Sequence, residues 1–209
     1  MGSEKAVRDE GTVMGHVGRP VRADARRNVQ TLLRTAMTVF AASGVDAPMR
    51  EIAEQAGVGV GTIYRHFPKR ADLIVAVFRH EVDACADAAP ALAAEHQPGE
   101  ALTRWVDRYI DLIAAKRGLA AALHSGDPAY DVLPAYFEER LGPALEGLLK
   151  AAAAVGRVRG EVSAKDLLWA IASLCAPTRT GSPELARRMI GVILDGLRAG
   201  PSVSQKTAV

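Results

Sequence analysis

Eleven residues, Val60 to Arg70, gather Thr62, Tyr64, Arg65, His66, Lys69 and Arg70 on one short stretch of chain. Arg50 lies a helix earlier. Guanidinium and ammonium groups interleaved with hydroxyls attract and hydrogen-bond phosphate, and an arginine fork also matches a base edge. The pattern therefore suits nucleic acid rather than a reaction centre. The histidines at His16, His66, His80, His96 and His124 are scattered, with no His/Cys/Glu spacing that would assemble a metal site. Gly57-Val58-Gly59-Val60-Gly61 superficially resembles a phosphate-binding glycine loop, yet it follows a helical pattern and no Gly-Lys-Ser/Thr completes it. Neither a nucleophile elbow nor strand-type alternation occurs. The sequence predicts no catalytic residue, no metal, no cofactor and no enzyme.

The elements that must position these residues are short helices. Val29, Leu32, Leu33, Ala36, Met37 and Phe40 recur at the spacing of one helix face, which ends at Ser43-Gly44. Pro48 suits a first helical turn, with Asp46 or Ala47 as the expected cap and Glu51 near the positive helix end. A second helix over Met49–Ala56 keeps Ile52, Ala53 and Ala56 inward and stops at Gly57. A third runs from Val60 to Phe67 with Ile63 and Phe67 inward, leaving Thr62, Tyr64, Arg65 and His66 outside. Pro68 and Lys69 break the pattern, and a longer apolar helix starts near Arg70. Two short helices joined by a glycine-bearing turn form a helix-turn-helix, whose second helix has the shape of a major-groove reader.

Composition agrees. The 209 residues are 49% hydrophobic, 24% charged and only 5% aromatic, enough for a sizeable core and weighted toward helix. Net charge is +2, but Arg19 to Arg70 holds nine Lys/Arg against four acids. Confining the positive charge to one segment is what a phosphate-binding module needs. Two cysteines, Cys85 and Cys175, exclude a disulfide scaffold and a multi-cysteine zinc site, and read as buried, inert thiols. No apolar run approaches the roughly 18–20 residues of a membrane span, and no signal-peptide pattern opens the chain, so a cytoplasmic protein is expected.

Residues 24–80 resemble the DNA-binding domain of the TetR family of transcriptional regulators. The resemblance rests on Phe40-Ala41-Ala42-Ser43-Gly44, on Ile52-Ala53-Glu54-Gln55-Ala56-Gly57-Val58, on Gly61-Thr62-Ile63-Tyr64-Arg65-His66-Phe67 and on Arg70-Ala71-Asp72-Leu73, about a quarter of the chain. Ala114 to Leu123 is similar to actinobacterial members. The resemblance implies that Tyr64 and His66 contact phosphates, that Val60, Gly61 and Arg65 face the groove, and that Thr62 holds a phosphate near the helix start. It implies that Arg50 reaches a base or phosphate from the side, and that Arg70 replaces a customary phosphate-binding lysine. Lys69 stands where a Ser or Asn cap is usual, trading a cap for charge; Pro48 and Met49 stand where hydroxyl residues are common. Arg19, Arg22, Arg26 and Arg27 form a candidate basic arm toward the minor groove.

Beyond Asp83 the pattern predicts longer helices over roughly 100–116, 117–124, 130–155, 164–176 and 183–198, punctuated at Pro90, Pro98, Pro128 and Pro177 to Pro183. Ser163 with Asp166 reads as a cap. Leu167, Leu168, Ile171 and Leu174, followed by Leu185, Met189, Val192, Ile193 and Leu197, stripe the last two helices. Such stripes could finish a monomer core or pair with a second copy, and the resemblance favours the second, homodimerisation. Trp105, Tyr109, His124, Tyr130, Phe137 and Trp169 lie on helices that would surround a small-molecule effector, with Arg108 and Asp127 as further polar candidates; for any single one of them ordinary core packing is the commoner explanation.

The expected architecture is thus all-α, with a flexible basic arm (1–23), a helix-turn-helix domain (24–80), a helical regulatory and dimerisation domain (81–200) and a disordered tail (201–209). The expected function is a ligand-responsive repressor that binds a near-palindromic, double-stranded operator as a homodimer, with no membrane partner. The alternatives are an activator of the same family, or a helical scaffold module with a solubilising basic N-terminus.

Overall fold

The computed structural model describes residues 18–159, 162–176 and 183–198, with side chains from Arg27 onward and from Glu184 in the last segment. Every element among the described residues is helical. They are α1 (Gly18–Ser43), α2 (Met49–Ala56), α3 (Val60–His66), α4 (Arg70–Ala86), α5 (Ala88–Glu95), α6 (Pro98–Lys116), α7 (Ala120–Leu123), α8 (Leu133–Ala154), α9 (Ala164–Leu174) and α10 (Pro183–Leu197), with 3-10 turns at Arg117–Leu119 and Pro128–Tyr130.

The first core is built where α1, α2 and α4 cross over α3. Leu32, Ala36, Val39 and Phe40 from α1 meet Ile52 and Ala53 of α2, Ile63 of α3, and Leu73, Ile74 and Val77 of α4, all fully or nearly fully buried. Burying each large aliphatic or aromatic side chain contributes roughly 1.5–3 kcal/mol, and this packing holds α2 and α3, helices of eight and seven residues that would be marginal in isolation. Helix α1 ends at Gly44 in the left-handed conformation, as its sequence predicts. At α2 the N-cap is Pro48 itself, with no side-chain cap, rather than Asp46 or Ala47. Residues 18–23, expected in a flexible arm, form the first turns of α1, and the rest of that arm and the tail at 201–209 lie outside the described residues.

Helix α4 runs on from this core into the second one, so a domain limit at residue 80 falls inside a continuous helix. There Asp83 accepts hydrogen bonds from the Tyr136 hydroxyl (2.6 Å) and from Arg140 Nε (2.6 Å), and Arg140 Nη2 also reaches Asp87 (2.7 Å), pinning α8 to α4. Trp105 Nε1 donates to the Cys85 carbonyl at 2.9 Å, and Tyr109 donates to the Leu168 carbonyl at 3.0 Å. Their rings stack at 5.7 Å. Both are large and fully buried, and each polar tip has found a backbone acceptor, as burial demands.

Helix α5 was not separable in the sequence: Pro90 occupies its first turn, where no N–H is needed, instead of ending an element. The two parts of the chain also meet through the Arg117–Leu119 turn. An added Cβ at Gly118 would stand 2.6 Å from the Phe40 carbonyl oxygen and 2.7 Å from Ala41 Cα, so only glycine permits this approach of the turn to α1.

Candidate nucleic-acid interface and internal cavity

The α2–α3 turn is fixed by its backbone. Gly57 adopts φ +66° and donates to the Glu54 carbonyl (3.2 Å), while Val58 donates to the Ala53 carbonyl (3.0 Å). These two bonds close the helix end as a Schellman motif, which a side chain at Gly57 would strain. Gly59 then extends, and its carbonyl accepts from Thr62 at 2.8 Å to start α3. Ile63 is fully buried, and Val60 and Phe67 pack partly against the same core. With its inner face so anchored, α3 turns Gly61, Tyr64, Arg65 and His66 outward. Tyr64 is 47% exposed, unusual for an aromatic with a core within reach. Open space surrounds Gly61, so another surface can approach the backbone there.

The site residues expected from sequence divide into two groups. Val60, Gly61, Thr62, Tyr64, Arg65, His66 and Lys69 lie on α3 or just after it, the last five with outward or partly exposed side chains. Arg50 is exposed beside them on α2 and pairs with Glu54 at 2.9 Å. Such an exposed pair contributes little to stability. Lys69 caps α4 through its backbone, donating its N–H to Asp72 at 2.8 Å, which leaves the ammonium exposed.

Arg70 departs from expectation. Its Nη1 donates to the carbonyls of Val45 (2.5 Å) and Ala47 (2.7 Å), so the guanidinium fastens the α1–α2 loop to the head of α4. Sequence reasoning missed this because both acceptors are backbone atoms more than twenty residues away.

Below this region lies a cavity of about 300 Å³ between α4, α6, α8 and α9. Tyr109, His124, Tyr130, Phe137 and Trp169 line it, as expected. Trp105 does not: it is fully buried behind Tyr109, with its indole N–H committed to Cys85. Nor do Arg108 and Asp127 reach it. The charged wall comes instead from Lys116, Glu138 and Lys165, which the sequence reading passed over. Burial holds the Lys116 ammonium below the usual lysine range, and burial followed by the nearby Asp127 raises Tyr130.

The stripes assigned to dimerisation need correction. Leu167, Leu168 and Ile171 are buried in the chain's own core, where α9 packs on α6 and α8. The apolar side chains left exposed are Leu174, Leu185, Met189 and Val192, the last three at i, i+4 and i+7 along α10, while Ile193 and Leu197 are partly buried. Both cysteines are buried, as predicted. No group of three or more candidate metal ligands occurs among the described residues, and no described helix is long and apolar enough to cross a membrane.

Comparison with known proteins agrees with this geometry. Residues 32–77 match the family profile described as bacterial regulatory proteins, tetR family, and residues 97–199 match the C-terminal domain of SbtR-like transcriptional regulators. The chain is 38% identical to the TetR transcriptional regulator SCO0520 from Streptomyces coelicolor, covering 82% of this chain and 98% of that one with a TM-score of 0.70. It is 39% identical to a TetR transcription regulatory protein from Mycobacterium vanbaalenii, covering 86% and 99% with a TM-score of 0.67. An HTH-type transcriptional regulator of Staphylococcus aureus (strain USA300), SAUSA300_2515, is 38% identical over 64 residues; the match spans only 30% of this chain and 35% of that relative. The shared stretch is short, whereas the two solved structures are matched over nearly their whole length. This chain belongs to the TetR family of transcriptional regulators.

Proposed function

We propose that the chain is an effector-released repressor that binds a near-palindromic operator as a homodimer. The observation that carries this reading is α3: seven residues held by Ile63, with Tyr64, Arg65 and His66 turned outward beside Arg50 and Lys69. Arg65 is the base reader, and Tyr64, His66, Thr62, Lys69 and Arg50 hold the flanking phosphates. One such helix spans only a few base pairs, so a two-fold pair of them supplies the affinity. The exposed Leu174, Leu185, Met189 and Val192 offer the apolar face for that pairing. Repression is favoured over activation because occluding a promoter needs no contact beyond the operator.

The effector enters the cavity under the DNA-binding region. Lys116 on its wall lies two residues before Gly118, whose backbone abuts Phe40 and Ala41 at the end of α1. A ligand that prefers one arrangement of this junction shifts the two α3 helices of the dimer away from operator spacing. Arg65→Ala tests the reading side: it should cost roughly 1–3 kcal/mol on the operator and relax preference at one position. Equal loss on operator and random DNA, by fluorescence anisotropy, removes Arg65 from base recognition.

A further inference from the structure

The cavity walls carry few polar groups, and among them Tyr109, His124, Glu138 and Lys165 are already partnered within the protein. The Tyr109 hydroxyl donates to the Leu168 carbonyl at 3.0 Å, and His124 Nδ1 meets the Ala120 carbonyl at 2.8 Å. Glu138 and Lys165 pair with each other at 3.2 Å on the wall. Lys116 is the exception. Among the described residues its ammonium makes no hydrogen bond and no ion pair; it stands over the rings of Phe78 (5.5 Å) and Phe137 (5.1 Å), both of which also face the cavity. Tyr130, another lining residue, has a hydroxyl that makes no hydrogen bond among the described residues.

Two aromatic faces soften the cost of half-burying an ammonium but accept none of its hydrogens. An apolar cavity whose wall holds a cation with no carboxylate partner is matched to a ligand that brings one. We infer that the cavity takes an apolar, preferably aromatic, monocarboxylate, whose carboxylate pairs with Lys116 Nζ while its body lies against Phe78, Phe137 and Trp169. The inference rests on the effector reading above and names the class of that effector. One charge is the right number: Glu138 neutralises Lys165, leaving Lys116 alone to balance the ligand. A phosphate dianion would lack a second free cation and would face the Glu138 carboxylate. Burial lowers the basicity of Lys116, and a carboxylate bound beside it would act in the opposite direction. A volume of about 300 Å³ fits one small bicyclic or medium-chain acid.

Calorimetric titration of the full-length protein with naphthylacetate and its neutral isostere naphthylacetamide tests this. Wild-type protein should bind the acid about tenfold more tightly than the amide, the worth of one charge-assisted hydrogen bond in a partly desolvated site. Lys116→Met should abolish that preference while retaining amide binding, and Lys116→Arg should restore most of it. Circular dichroism and DNA affinity measured on the same samples report that each variant is folded. Equal affinity for acid and amide in the wild type, binding of neither, or a preference that survives Lys116→Met overturns the inference. The wild-type comparison stands even if a variant fails to fold. DNA binding that persists without any charge preference sinks this inference alone, whereas loss of specific DNA binding sinks the repressor reading and leaves the acid preference measurable.

Discussion

Arg70→Gln separates two jobs that look alike in the sequence. In the structure its Nη1 carries two hydrogens, one given to the Val45 carbonyl (2.5 Å) and one to the Ala47 carbonyl (2.7 Å). Val45 and Ala47 are themselves buried, so removing the donor leaves two carbonyls with little water to turn to. A hydrogen bond from a charged donor contributes about 1.5–3 kcal/mol; because both bonds share one nitrogen and Arg70 is partly exposed, the pair is worth about 2–3 kcal/mol in all. With a urea slope of about 1–3 kcal/mol per molar, the unfolding midpoint should fall by roughly 1–2 M. Protein concentration must be held constant, since association shifts apparent stability. If Arg70 were instead a phosphate anchor, stability would be unchanged, and the logarithmic salt dependence of DNA binding would lose about 0.9 for each phosphate released. An unchanged midpoint with a shallower salt slope refutes the loop-fastening role.

Three further outcomes follow from the geometry. Gly118→Ala drives a methyl to 2.6 Å from the Phe40 carbonyl oxygen, with backbone rather than a yielding side chain in the way. It should destabilise the protein by about 2 kcal/mol in urea melts, and a change under about 0.5 kcal/mol means the turn does not abut α1. Burial raises the Cys85 thiol from 9.0 to about 12, so the stability of the neutral buried thiol is fully present below pH 9 and is lost as pH rises toward 12. Melting temperature should fall across that span, less steeply in Cys85→Ala; an identical slope in both proteins excludes the thiol as the cause. Val192, 60% exposed on α10, should when changed to Glu shift sedimentation from dimer toward monomer with the fold intact, and an unaltered dimer places the interface elsewhere.

What was legible in the sequence was what is decided locally. Gly57 needs a positive φ, and Ser163 needs three residues to reach Asp166, where its hydroxyl accepts the Asp166 N–H at 3.2 Å. The bounds of α2 could therefore be read to the residue, and α3 to within one. What escaped was decided by distant partners. A leucine stripe reports that a face is buried but not against whose core, so Leu167, Leu168 and Ile171 looked like an interface when they pack on their own chain. Lys116 at a helix end looks like ordinary compensation of the helix dipole; only the packing of α4 and α8 places Phe78 and Phe137 beneath its ammonium. At the break between α4 and α5 Asp87 keeps helical backbone angles, and the one sequence mark, Pro90, falls in the first turn of α5 rather than at the break itself.

The central claim, specific DNA recognition by a dimer carrying α3, is tested most directly by selecting ligands from a random double-stranded DNA library with the purified full chain. The selection is run at a salt concentration that strips non-specific complexes. Convergence on one near-palindrome with half-sites about one helical turn apart is expected, with loss of that convergence in Arg65→Ala. A library that remains random while bulk DNA binding fades steeply with salt would contradict it, leaving a basic surface that attracts DNA without reading it.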